Sequence, residues 1–162
     1  MDVFFIDLFE YDHSANRQWL EKLRELETID ERPWRLLSHI AATKKVWWHR
    51  LQEEDSDVEI WPELSPKECE NLLFEMHRYY IDCIDETTDE QLESAITYQN
   101  SSGKTFNTPV REVLMHLLTH NHYHRGQIAQ SVREQGYEPI WTDYIVYSRL
   151  RSGDAGSLPP TA

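Results

Sequence analysis

The sequence predicts a helical bundle, and three observations carry that prediction. Gly and Pro are scarce, 5 and 7 in 162 residues, and Pro139, Pro159 and Pro160 fall late, so long stretches run without a breaker. Apolar residues recur at helical spacing through four long segments. Aromatic residues are abundant (6 Trp, 8 Tyr, 5 Phe), and that much ring surface must be buried or line a pocket or an interface. The length suits one domain with its own core, residues 1–152, followed by a Gly- and Pro-containing tail, residues 153–162, expected to be flexible.

The first helix is expected from about Phe4 to Leu26, with Phe5, Leu8, Phe9, Asp12, Ala15, Asn16, Trp19, Leu20 and Leu23 on one stripe. Asp12 and Asn16 fall on or near that stripe, either at its edge or on the wall of a pocket. A second helix opens at Asp30-Glu31-Arg32-Pro33. Pro33 suits a first helical position there, and the acids sit near the positive end of the helix dipole. Its face, Trp34, Leu37, His39, Ile40, Thr43, Val46, Trp47 and Leu51, runs to about Gln52. An acidic loop, Glu53 to Glu59, follows and ends in Ile60-Trp61-Pro62. Ser65-Pro66-Lys67-Glu68 then reads as a capping box with Pro at the first helical position, and Leu72, Leu73, Met76, Tyr79, Tyr80 and Cys83 continue to about Asp85.

Between about Ser94 and Thr108 the pattern changes. Two β-favouring runs, Ile96 to Gln99 and Lys104 to Phe106, flank Asn100-Ser101-Ser102-Gly103 and predict a small hairpin. The last long helix is expected to be capped by Thr108-Pro109. Its inner face would be Val113, Leu114, Leu117, His120, Tyr123, His124, Gln127, Ile128, Ser131 and Val132, with Gly136 as its stop. A short helix beginning near Thr142 and ending near Arg151 completes the domain.

A formal net charge of -13 argues against nucleic acid or an anionic membrane as partner, because the basic clusters (Lys44-Lys45 with Arg50, Arg149 with Arg151) form no long stripe. No apolar run approaches the 18 residues of a membrane span, and the N-terminus carries acids inside its apolar run, unlike a signal peptide. Cys69 and Cys83, on one helix, would stand about 21 Å apart, beyond the roughly 7 Å limit for a disulfide. Two reduced thiols suit a cytoplasmic protein.

The run His116-Leu117-Leu118-Thr119-His120-Asn121-His122-Tyr123-His124 carries the chemistry. Residues four apart on a helix share a face, so His116, His120 and His124 align while His122 points elsewhere. His116 and His124 are about 12 Å apart along the axis, too far to grip one ion. Either His116 with His120 or His120 with His124 can do so. His39, inside an apolar helical face, would point into the same core and supply a third imidazole. Three imidazoles with no thiolate or carboxylate suit Zn, Ni, Fe, Mn or Cu. The residue after His120 is Asn121, so the Glu of a zinc-protease HExxH motif is missing. No fourth protein ligand stands out, which favours an open centre over a closed structural site. His13, His49 and His77 read as surface or rim groups.

The run His120 to Gln127, HNHYHRGQ, resembles the H-x3-HRGQ stretch on the last long helix of the DinB (damage-inducible) superfamily. His39 with Ala41-Ala42 and Trp47, the hairpin residues Asn100, Gly103 and Phe106, and Asp143-Tyr144-Ile145 are similar to further parts of its pattern. The resemblance spans most of residues 4–150. It implies an all-α fold of DinB/YfiT-like type, a four-helix bundle of up-down-down-up course, often a homodimer, holding one divalent metal ion. By position it makes His39, His120 and His124 the ligands, and leaves His116 one turn away as a pocket or supporting group. Tyr123 departs from the His that many relatives carry there. Some relatives use the metal to activate a low-molecular-weight thiol, so a metal-dependent thiol transferase is the first expectation. Metal-assisted hydrolysis and a non-catalytic, stress-associated metal-binding protein are the others. Catalytic residues are not legible in the sequence. Arg125 is the nearest cation for a thiol pocket, or else a helix-packing ion pair, and Asp12 is the one carboxylate that could approach the site from the first helix.

Overall fold

Six helices and one hairpin make up the regular structure of residues 3–100 and 102–153, the part of the chain that the computed structural model describes. In chain order they are α1 (Val3–Glu25), α2 (Glu31–Leu51), α3 (Pro66–Glu86), α4 (Asp89–Glu93), β1 (Ala95–Gln99), β2 (Thr105–Pro109), α5 (Val110–Glu134) and α6 (Tyr144–Arg151). The molecule is thus mostly helical, with the expected antiparallel hairpin ahead of the last long helix.

Local chemistry accounts for most boundaries. Ser65 caps α3 by accepting from the Glu68 amide while the Glu68 side chain returns to the Ser65 amide, and Pro66 occupies the first helical position. Thr88 and Gln91 make the same reciprocal cap for α4, a one-turn helix that periodicity did not reveal because it buries only Leu92. In the hairpin turn the Asn100 side chain accepts from the amides of Ser102 and Lys104, and Gly103 takes φ 77°, a left-handed value that glycine adopts without strain. Gly136, at φ 86°, stops α5.

Two boundary expectations need correction. α2 starts at Glu31, so Pro33 lies two residues further into the first turn, where its missing N–H is still without an intrahelical acceptor. Thr108 does not cap α5. It is paired with Ile96 in the hairpin, and the strand runs directly into the helix through Pro109. Tyr123 is also not on the inner face; it is 63% exposed, and Leu118, Asn121 and Arg125 are buried instead. The tail expected at residues 153–162 lies, beyond Gly153, outside the described residues.

α1 packs against α3 and α5, and α2 against α3 and α5. The core divides into two apolar clusters. One joins the start of α1 (Phe9), the end of α2 (Trp47), the end of α3 (Tyr80, Ile84) and the start of α5 (Leu114, Leu117). The other joins the end of α1 (Trp19, Leu23), the start of α2 (Leu37, Ile40), the start of α3 (Cys69, Leu73) and the end of α5 (Ile128, Val132). α1 and α5 therefore run one way and α2 and α3 the other. Between the clusters lies a polar layer of buried side chains: Asp12 and Asn16 from α1, His39, Thr43 and Lys44 from α2, and Asn121, His124 and Arg125 from α5. Both free cysteines lie on α3, and among the described residues no helix is long and apolar enough to cross a membrane.

The layer extends to the α1–α3 face, where His13 and His77 stack at 4.0 Å and 10°. Of the two positions expected, surface or rim, both take the rim, half-buried. His77 is 13% exposed in its side chain and lies 3.7 Å from Glu10. Burial, with the neighbouring cations adding to it, pushes His13 from 6.5 down to about 4, and burial together with His13 pushes His77 down as well. A histidine whose folded pKa is depressed takes up its proton more readily when unfolded, so stability is lost as pH falls from about 6.5 towards 4. Urea midpoints measured from pH 7 to pH 5 should fall more steeply for this chain than for a His13→Phe/His77→Phe variant. Parallel curves would exclude the pair as a source of the acid sensitivity.

Candidate metal centre

α2 and α5 lie side by side in the middle of the fold and bring three imidazoles together. His39 comes from α2, and His120 and His124, one turn apart, come from α5. His39 Nε2 is 3.3 Å from His120 Nε2, which is 3.1 Å from His124 Nε2. One ring nitrogen of each lies within 4.8 Å of the others. Two metal–nitrogen bonds of 2.0–2.1 Å at roughly tetrahedral to right angles place their nitrogens about 2.9–3.4 Å apart. The two spacings at His120 are those of ligands to one ion, and the remaining pair lies within 4.8 Å.

Hydrogen bonds behind the rings decide which nitrogen is free. His39 Nδ1 donates to the Ile60 carbonyl oxygen at 2.7 Å. A carbonyl can only accept, so the proton sits on Nδ1 and the Nε2 lone pair faces the centre. His124 Nδ1 meets Gln127 Oε1 at 2.8 Å, with the same consequence. His120 Nε2 thus lies against two lone pairs, and a single N–H there could satisfy only one of them. Among the described residues His120 Nδ1 is buried and makes no hydrogen bond of ordinary geometry, although the adjacent Asn121 side chain opposes the lowering of the His120 pKa. A cation shared by the three Nε2 atoms satisfies every contact at once, and by this test the residues fit a divalent metal.

Electrostatics agree with the geometry. Burial lowers the pKa of His39, partly opposed by the Ile60 carbonyl, and burial together with His124, His39 and His116 brings His120 from 6.5 to about 4. Both are neutral at neutral pH, the form that ligates. Trp61 covers the centre, stacked on His39 at 3.7 Å and 6° and edge-on to His124 at 6.0 Å. Ile60 and Trp61 belong to the site in addition to the residues expected from the sequence. Their only signal is an apolar Ile-Trp-Pro at the end of an acidic loop.

A model of the DinB family matches residues 1–155. The chain belongs to the DinB family. Protein DinB of Bacillus subtilis (strain 168) is 28% identical to it over 171 residues, an alignment that covers 91% of this chain and 95% of that protein. In this DinB family member the HNHYHRGQ run places two rows side by side on α5: His120 and His124 face the centre, while the next row, Asn121 and Arg125, turns into the core.

That second row meets two other residues singled out from the sequence. Asp12, fully buried, accepts from Lys44 Nζ at 2.7 Å, Arg125 Nη1 at 2.5 Å, Asn121 Nδ2 at 3.0 Å and Asn16 Nδ2 at 3.1 Å. Arg125 Nη1 also donates to Asn16 Oδ1 at 2.9 Å. Burial raises the Asp12 pKa, but the charges and hydrogen bonds of Lys44 and Arg125 outweigh it and hold the carboxyl at about 2. Among the described residues, Asp12, Asn16 and Arg125 make no hydrogen bond to an imidazole of the three. His116 is exposed at the outer edge, its ring 5.4 Å from that of His120 and 5.1 Å from that of Trp47. Lys44 and Asn121 were not foreseen. A lysine inside an apolar helical face opposite Asp12 is the signal that could have found the first.

Proposed function

We propose that the chain holds one divalent ion on His39, His120 and His124 and uses it to activate the thiol of a low-molecular-weight cofactor for transfer to an electrophile. The supporting frame is an up-down-down-up four-helix bundle that assembles as a homodimer. The observation that carries the reading is the convergence of three Nε2 atoms with two of their tautomers set from behind. The ion's chemistry, once bound, is to lower the pKa of a coordinated thiol and present thiolate at neutral pH. The chain's own part is to supply neutral imidazoles, to hold two of them from Ile60 and Gln127, and to cover one side with Trp61.

The surroundings of the centre bear on the choice between thiol chemistry and hydrolysis. A hydrolase of this design needs a base to take the proton of its nucleophilic water. Asp12 cannot be that base, because it is sealed in the core and already accepts four hydrogen bonds. A cavity of about 530 Å³, sharing Ile60 with the centre and lined by Val46, Arg50 and Tyr98 together with the carboxylates Glu53, Glu54 and Asp55, offers room for the body of a cofactor. Cys69 is buried with its pKa raised to about 12, so it stays an inert thiol in the reducing cytoplasm where such cofactors accumulate.

Loading the purified chain with zinc or nickel should give one equivalent of metal per chain by elemental analysis. The loaded protein should then conjugate bacillithiol, mycothiol or glutathione to a test electrophile faster than a His120→Ala variant. Less than about a tenth of an equivalent bound, or equal binding by His39→Ala and His124→Ala, removes the metal centre. One equivalent without turnover on any thiol leaves a non-catalytic metal-binding protein, and turnover on esters or amides with thiols omitted replaces transfer by hydrolysis.

A further inference from the structure

Asn121 stands at the junction between the metal centre and the buried ion cluster. It follows His120 directly on α5 and is 1% exposed. Its Nδ2 donates to Asp12 Oδ2 at 3.0 Å. An ionised carboxylate only accepts, so this bond fixes which end of the amide is which and leaves Oδ1 free of Asp12. Oδ1 is then a buried acceptor, and among the described residues it has no hydrogen-bond partner. Folded proteins leave few such atoms unpaired, and each calls for a reason.

The complementary atom lies on the preceding residue. His120 Nδ1 is also buried and also makes no hydrogen bond of ordinary geometry among the described residues. Neighbours on a helix point about 100° apart, so the tips of long side chains diverge. Nδ1, however, is the ring nitrogen nearer the backbone, and the asparagine side chain is short. The two groups already act on each other. Burial lowers the His120 pKa, and the Asn121 side chain opposes that lowering, as an acceptor beside a ring N–H does.

The ion supplies the reason for the pair. His39 and His124 have their Nδ1 atoms tied to Ile60 and Gln127. His120 offers Nε2 to the same centre, so with a cation bound its proton belongs on Nδ1. That N–H is a buried donor, and Asn121 Oδ1 is the unpaired acceptor beside it. Behind the amide stands the Asp12 carboxylate, whose charge polarises the chain of bonds towards the imidazole.

We propose that Asn121 is the positioning residue for His120: its Oδ1 accepts the Nδ1–H of the metal-bound ring while Asp12 holds its Nδ2, so the buried ion cluster supports the middle ligand. This rests on the metal centre proposed above and gives its third imidazole a partner, as Ile60 and Gln127 are partners to the other two.

The test compares zinc binding by the full chain with that of Asn121→Ala and Asn16→Ala, measured by calorimetric titration. Asn16, like Asn121, gives Asp12 one hydrogen bond, but among the described residues it makes none to an imidazole, so its loss shows what loosening the cluster costs by itself. Affinity should fall about 10- to 100-fold in Asn121→Ala, the usual effect of removing a partner behind a ligand, and less than about threefold in Asn16→Ala. The ring N–H signals of the zinc-loaded protein give a second readout. The His120 Nδ1–H should exchange slowly with water in the parent and in Asn16→Ala, and fast in Asn121→Ala. Those of His39 and His124 should persist in all three. A parent that binds no zinc removes the metal centre, and this role with it. One equivalent in the parent, with affinity unchanged in Asn121→Ala or lowered equally in both variants, keeps the centre and overturns the role of Asn121. A His120 Nδ1–H that exchanges in the zinc-loaded parent as fast as that of free imidazole overturns it too, whether or not Asn121→Ala folds.

Discussion

Replacing Asp12 by alanine is expected to remove about 3–5 kcal/mol of stability, a large share of the roughly 5–15 kcal/mol that holds a domain folded. The reason is what remains behind. Lys44 and Arg125 are 1% and 2% exposed, and without Asp12 both would be buried cations with no anionic partner. Asn16 and Asn121 would each lose an acceptor as well. Urea denaturation of the variant should show a much lower midpoint, or a chain unfolded in buffer. An Asp12→Asn variant keeps the volume, removes the charge and should lose nearly as much. A loss below about 1 kcal/mol, the size of an exposed ion pair, would show that the cluster contributes little. The same carboxylate predicts an acid limb. Its folded pKa, about 2, lies below the ordinary 3.8. Its contribution is therefore complete above 3.8 and is lost as pH falls from there towards 2. That limb should be missing from the pH dependence of any Asp12→Asn protein that still folds.

The second large effect concerns His120. It is the middle ligand, within 3.3 Å of both His39 and His124. Its replacement by alanine leaves two imidazoles on different helices. Losing only the partner behind a ligand typically costs 10- to 100-fold in affinity, so losing the ligand itself should cost more than about 100-fold. Calorimetric titration with zinc or nickel should show one site in the parent and none at micromolar metal in His120→Ala. Folding should be little changed, because among the described residues His120 Nδ1 makes no hydrogen bond of ordinary geometry and the ring is only half-buried. A metal present at 100 times its dissociation constant stabilises by about 2.7 kcal/mol. The melting temperature should therefore rise with metal in the parent and stay level in the variant. An equal rise in both would place the ion elsewhere.

These two residues also mark what could be read from the sequence. His120 was legible because i and i+4 on a helix share a face by geometry alone, whatever the rest of the chain does. Asp12 was legible only as an anomaly, a charge on an apolar stripe. Whether it sat at an edge, on a pocket wall or in the core depended on what lay across from it. Lys44 and Arg125 lie 32 and 113 residues away in the chain, and no local pattern ties them to Asp12. Trp61 and Ile60 were passed over for a related reason: a loop has no periodicity, so nothing in it announces that its last residues return to a helix 21 positions earlier. Tyr123 erred in the other direction. Its apolar ring suggested an inner face, whereas its neighbours Asn121 and Arg125 are the ones buried, because paired polar groups can occupy a core position when every charge finds a partner.

By itself the sequence determined the helical class, the capped start of α3, the hairpin before α5 and the alignment of His120 with His124. All of these follow from interactions within a few residues of one another. Only the tertiary structure decided that α2 and α5 set His39 against that pair, that Ile60 and Gln127 turn two of the rings towards a common centre, and that Asp12 closes an ion cluster in the core instead of facing a substrate. Those outcomes rest on contacts between segments far apart in the chain, whose partners become neighbours only when the apolar faces of the helices have packed.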